Sequence, residues 1–161
     1  MAEVWADEDV WQSLRPGEPF DPEVVARRFS QRMASWPRAG FGVWSVEERA
    51  SGRFAGWIGP SHPEFVPELA DEVELGWTLR PAFWGRGLAS EGARAAVSVT
   101  FAHLPIQRLI SIIHPENARS LAVARGLGMT HVRDVRHPEM DLELGVHALG
   151  RETHESALPR T

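Results

Sequence analysis

Apolar positions recur along the chain with two periods, and the changes of period divide the sequence into elements. Residues 2–14 carry the pattern of a short helix, ended by Pro16-Gly17. Asp21-Pro22 then reads as an N-cap with proline in the first turn, and Val25, Phe29, Met33 and Trp36 follow at three- and four-residue spacing. This predicts a helix to about Trp36 with one apolar stripe facing the core. Residues 41–46 and 53–58 read as strands, joined in a hairpin by the Glu-Arg-Ala-Ser-Gly turn that ends at Gly52. Residues 60–71, which hold three prolines, are expected to form a loop. A strand over 72–80, a helix over 88–104 and a buried strand over 108–114 with Leu109, Ile110, Ile112 and Ile113 follow. Asn117 caps a helix that stops near Gly128, and strands over 130–135 and 142–149 flank His137-Pro138. Residues 151–161 are expected to be a polar, frayed tail.

Composition limits what this pattern can be. With 161 residues, 43% of them hydrophobic, the chain forms one domain over 1–150 that is large enough to bury a core. No apolar run approaches the 18 residues of a membrane span, and the first residues are acidic where a signal peptide would be basic, so a cytoplasmic protein is expected. The absence of cysteine excludes disulfides, thiolate metal sites and a cysteine acyl-enzyme. A net charge of −5 argues against nucleic acid as a partner and suits a cationic one. His131, His137 and His147 have no metal-ligand spacing, so no metal site is expected. Of the seven tryptophans, Trp36, Trp44, Trp57 and Trp77 are expected mostly in the core, with one or two lining a pocket.

The segment from Trp84 to Ala93 carries candidate chemistry. It joins a predicted strand to a helix N-terminus through a turn that contains Gly85 and Gly87. Backbone N–H groups at such a turn have no helical partner and lie at the positive end of the helix dipole, which makes a seat for a phosphate or pyrophosphate. No Gly-Lys-Ser/Thr follows, so the loop is not a P-loop, and no third glycine stands where a dinucleotide fingerprint needs it.

Three pieces in order resemble the GNAT superfamily of acetyl-CoA-dependent N-acetyltransferases, within it the branch that includes the ribosomal-protein N-terminal acetyltransferases. They are Glu74-Leu-Gly-Trp77, Trp84-Gly-Arg-Gly-Leu-Ala89 with Ser90-Glu91 after it, and Asn117-Ala-Arg-Ser120 followed by Gly126-Leu-Gly-Met129. The resemblance implies an α+β fold with a mixed, largely antiparallel sheet. Two parallel strands, here 72–80 and 108–114, would splay apart around acetyl-CoA. It also implies a first strand for which the chain has no counterpart. The strand from Phe41 would then offer an open edge, which an isologous homodimer is expected to close.

The same resemblance assigns roles. Trp84, Gly85, Arg86, Gly87, Leu88, Ala89 and Ser90 would hold the pyrophosphate, and Trp77, Thr78, Leu79 and Asn117 the pantetheine arm. Glu74 would be the base that takes the amine proton through a water, with Glu72 as the fallback. A backbone N–H near Trp77 or Thr78, freed by a bulge, would hold the oxyanion. Relatives often protonate the departing thiolate with tyrosine, which this chain lacks, so Ser120 or water would take that part. The implied reaction is transfer of an acetyl group from acetyl-CoA to a primary amine, a small molecule or a protein N-terminus. A non-catalytic acyl-CoA-binding module is the alternative.

Overall fold

Asp21 accepts a hydrogen bond from the Glu23 N–H at 2.8 Å, and Pro22 opens the first long helix of the computed structural model, which describes residues 4, 7–14, 21–138 and 142–157. Helix α1 (Glu8–Leu14) precedes this α2 (Pro22–Ala39). Strands β1 (Trp44–Glu48), β2 (Arg53–Ser61) and β3 (Glu74–Leu79) come next, then α3 (Leu88–His103), β4 (Arg108–Ile113), α4 (Ala118–Gly126), β5 (Thr130–Arg136), β6 (Glu143–Gly150) and α5 (Arg151–Ala157). Helix α2 runs one turn past Trp36, through Pro37, and ends at Gly40, whose φ of 74° suits glycine. The side chains of Val25, Phe29 and Met33, on which the predicted stripe rests, lie outside the described part, as do Pro16-Gly17 and residues 158–161.

The six strands form one sheet in the order β1-β2-β3-β4-β6-β5, antiparallel except where β3 meets β4. Side chains alternate between its faces. On one face Ile58, Leu75, Leu79, Leu109, Ile113 and Leu149 pack with Ala93, Val97 and Phe101 of α3 and Ala124 of α4. On the other, Ile110, Val135, Leu144 and Val146 pack with Val66 and Leu69 of the proline-containing loop. That loop is shorter than the proline count predicts, because β2 continues through Pro60 to Ser61. Pro60 sits opposite Leu75, a position that gives no hydrogen bond to β3, so its missing N–H costs the β2–β3 ladder nothing.

The alternation follows from one end contact. The Arg80 N–H bonds the Ala55 carbonyl at 2.8 Å. In an antiparallel ladder this turns the N–H groups of Glu74, Gly76 and Thr78 toward β2, and those of Leu75, Trp77 and Leu79 toward β4. The β3–β4 pairing reaches only to the crossing of Glu74 with Ile110, beside a bond from the Ile110 N–H to the Val73 carbonyl at 3.0 Å. In a continuing parallel ladder the Leu75 carbonyl would accept from the Ile112 N–H. It accepts instead from the buried Ser111 hydroxyl, at 2.7 Å. Beyond that bond the two strands part.

Several expectations change in the structure. The strand predicted from Phe41 begins at Trp44, because Gly42 and Val43 cross close to other backbone and side chains: a Cβ at Gly42 would meet the Trp36 ring at 2.4 Å, and one at Gly59 would meet the Val43 Cα at 2.8 Å. Strand β1 lies at the edge of the sheet, where a register shift at Val46/Glu47 and its terminal acidic residues make a poor template for strand pairing. Glu72 lies before β3, in an ion pair with Arg108. The predicted frayed tail is helical over Arg151–Ala157. Arg151 anchors it, donating from Nε to the Ile106 carbonyl at 2.9 Å and from Nη2 to the Leu104 carbonyl at 2.7 Å, with its guanidinium 5.1 Å from the centre of the Phe101 ring.

If the Ser111 hydroxyl is what satisfies the Leu75 carbonyl, Ser111→Ala leaves a buried acceptor without its donor. Urea unfolding should show a loss of about 1–3 kcal/mol. An unchanged midpoint and slope would show that the backbone closes the gap by itself.

Candidate functional site

The parting of β3 and β4 creates a gap whose two ends carry different chemistry. At the C-terminal end of β3 the chain makes a short 3₁₀ turn (Pro81–Phe83) anchored by the buried Phe83 ring, then enters Trp84-Gly-Arg-Gly87. Gly85 and Gly87 stand at φ 70° and 77°, and a Cβ added to either would meet nothing within 4 Å. Both glycines are therefore required by conformation, and the space over them is open. Gly87 is the N-cap of α3 with no side-chain cap, and its carbonyl accepts the first helical bond, from the Glu91 N–H at 2.9 Å. The N–H groups of Leu88, Ala89 and Ser90 thus have no partner in their own helix.

The side chains of the loop hold it in place. Trp84 donates its indole N–H to the Leu79 carbonyl at 2.7 Å, which fastens the loop to the end of β3. The Arg119 guanidinium of α4 stacks 4.4 Å from the Trp84 ring centre, so the two walls of the gap meet there through a cation–π contact. Arg86 pairs with Glu48 at the end of β1. The Glu48 carboxyl is held below the usual carboxylate range, first by the Ser51 hydroxyl and then by Arg86.

At mid-gap the Trp77 indole donates to the Ser120 hydroxyl at 3.3 Å. Asn117 caps α4, its Oδ1 accepting from the Ser120 N–H at 3.0 Å, and is itself buried. These contacts bring Trp77, Asn117 and Ser120 together on the helix-covered face of the sheet. Trp77 and Leu79 also turn their backbone N–H groups into the gap. Thr78, the other candidate, turns its N–H to β2, and its side chain is buried on the opposite face beside Trp57. The bulge expected at Trp77–Thr78 is absent: the β2–β3 register runs without a shift from Gly56/Leu79 to Ser61/Glu74. The free donors arise because β4 departs, so a bulge is unnecessary.

At the closed end of the gap stands Glu74, 7% exposed, in register with Ile110 of β4 and Ser61 of β2. Glu72 does not join it, being committed to Arg108 at the surface. Ser61 is a residue that sequence reasoning missed. The residue is 5% exposed, and its buried Oγ has no hydrogen-bond partner among the described residues. The serine at the end of an apolar strand run was the only available signal. His131 bonds Asp134 at 2.7 Å and meets the ring of its cross-strand partner His147 edge-on, while His137 stacks on Phe65. Burial, followed by the nearby His131, lowers the His147 pKa. Among the described residues no helix is long and apolar enough to cross a membrane.

Comparison with known proteins agrees with this geometry. A model of the acetyltransferase (GNAT) domain matches residues 1–130. The FsC-acetyl coenzyme A-N(2)-transacetylase of Aspergillus fumigatus is 33% identical over 131 residues, which cover 78% of this chain and 55% of that protein, so the chain spans about half of that relative's length. An acetyltransferase from Agrobacterium tumefaciens superposes with a TM-score of 0.77 at 28% identity over 93% of this chain and 82% of the other. The spermidine N-acetyltransferase of Vibrio cholerae, solved with CoA and spermine, superposes at 0.70 over 96% of this chain and 89% of its own, and at 10% identity that likeness is one of fold. The splayed strand pair, the open glycine loop at a helix N-terminus and the match over 130 residues place this chain in the GNAT acetyltransferase family.

Proposed function

We propose that the protein transfers the acetyl group of acetyl-CoA to a primary amine by direct attack in a ternary complex. The observation that carries this reading is the gap itself. Its mouth is an open, glycine-built anion seat, its wall offers the Trp77 and Leu79 N–H groups, and a buried carboxylate closes its far end. Strand rise puts Leu79 about 17 Å from Glu74, which favours a long ligand with an anionic head over a free phosphate. Membership in the GNAT family supports acetyl-CoA as that ligand. The ribosomal-protein N-terminal acetyltransferase-like branch belongs to the same proposal, supported by Glu74-Leu-Gly-Trp77 and by an aromatic at Trp84.

The chemistry then divides between the faces of the sheet. Glu74 lies on the face opposite the α3 and α4 packing, where an acceptor amine would approach, and Ser120 lies on the α4 side, where the sulfur would leave. The amine nitrogen forms a bond to the acetyl carbon while its proton passes through a water to Glu74. The Trp77 N–H donates to the oxygen that becomes an oxyanion. When the carbon–sulfur bond breaks, the thiolate takes a proton that the Ser120 hydroxyl relays, Ser120 regaining a proton from a solvent water as it gives up its own, and Glu74 later returns the amine proton to solvent. The Ser120 hydroxyl already accepts from the Trp77 indole, which makes it a better donor. Arg86 exchanges Glu48 for a cofactor phosphate, and the backbone of residues 85–90 does the rest of the holding.

Three measurements test the reading. Acetyl-CoA at a hundred times its dissociation constant should stabilise the fold by about 2.7 kcal/mol. No heat of binding at millimolar acetyl-CoA would end both the enzyme and the binding-module readings. Gly87→Val should abolish acetyl-CoA binding, since a branched side chain at positive φ both strains the loop and fills the anion seat. The folded state should survive, because nothing lies within 4 Å of the new Cβ. Equal affinity in that variant would move the anion elsewhere. Glu74→Gln should keep acetyl-CoA affinity within a few fold and lower turnover by roughly 10²–10⁴, with a loss that shrinks as pH rises and the amine deprotonates unaided. A chain that binds acetyl-CoA but releases no free CoA with any amine would be the binding module instead.

A further inference from the structure

Ser61 closes β2 with a buried hydroxyl to which no described residue offers a hydrogen bond. An alanine would occupy the same place with no polar atom to satisfy, so packing alone gives no reason for the serine. Its position gives one. Ser61 is the cross-strand partner of Glu74, and the ladder alternation makes this a hydrogen-bonded pair, with the two side chains on one face and about 5.5 Å between their Cα atoms. That face is the one opposite α3 and α4, where the acceptor amine would come in. A water held between hydroxyl and carboxylate would bond both.

We infer that Ser61 is a positioning residue for the proton transfer at Glu74. This rests on Glu74 as the base of the proposed reaction. The relay water accepts one hydrogen bond from the Ser61 hydroxyl and one from the amine N–H, and donates one to the Glu74 carboxylate. As the carbon–nitrogen bond forms, the water takes the amine proton and passes one of its own to Glu74. Ser61 keeps its proton throughout and fixes only where the water stands. The geometry also narrows the acceptor, whose nitrogen must reach a point between the ends of β2 and β3, beside the buried side chains of Ser61 and Glu74, while its carbon substituents stay outside. An amine on an unbranched carbon meets that demand better than one on a crowded carbon.

The test is a double-mutant cycle with acetyl-CoA and a set of primary amines. Ser61→Ala should lower kcat roughly 5- to 50-fold with the KM for acetyl-CoA unchanged, and the loss should fade at high pH as it does for Glu74→Gln. In a Glu74→Gln background the same change should alter turnover less than twofold, because a water with no base to serve needs no placement. Ser61→Thr, which keeps the hydroxyl, should recover part of the loss. Full turnover in Ser61→Ala beside a slowed Glu74→Gln would overturn the role of Ser61 and leave the enzyme reading standing. Losses that multiply independently would also overturn it, since they would mark a structural effect. Unaltered turnover in Glu74→Gln would remove the base and the inference together.

Discussion

One hydrogen bond decides where the sheet divides. By giving the Leu75 carbonyl a side-chain donor, Ser111 removes the need for the Ile112 N–H that would extend the parallel ladder. Neither strand pays the usual penalty for a buried, unpaired carbonyl at the branch point. Past it, β3 stays bonded to β2 on one side and exposes its other side to the gap, while β4 is held by β6 over its whole length. The gap is thus fixed by two intact antiparallel ladders. It needs no strain to stay open.

Two tryptophans turn that gap into a walled cleft. Trp84 and Trp77 each spend their single indole N–H on a fixed acceptor, the Leu79 carbonyl and the Ser120 hydroxyl, and both face α4. Arg119, stacked on Trp84, adds a positive charge to that wall. Trp84 therefore has a structural task, pinning to the end of β3 a loop whose proposed hold on an anion would use backbone N–H groups. Glu48 plays a matching part for Arg86, pairing with its guanidinium beside the loop. This pairing is exposed on the arginine side and should weaken with salt.

Much of this was legible in the sequence because it depends on neighbours along the chain. Asp21-Pro22 and Asn117 cap helices through their own side chains, and Gly85 and Gly87 signal positive φ wherever they stand. Strand and helix order followed from period and spacing, and the parallel pairing of the strands expected at residues 72–80 and 108–114 followed from the resemblance of three motifs to the GNAT family. The tertiary structure decided what depends on residues far apart. Ser111 meets Leu75 across 36 positions, Trp77 meets Ser120 across 43, and Arg151 meets Leu104 across 47, turning an expected tail into a docked helix. Glu72 pairs with Arg108 instead of joining Glu74, and Ser61 stands opposite Glu74, because strand register sets which side chains share a face. A sequence prints local propensity at every position, but register and the place where a ladder stops are set only when the strands meet.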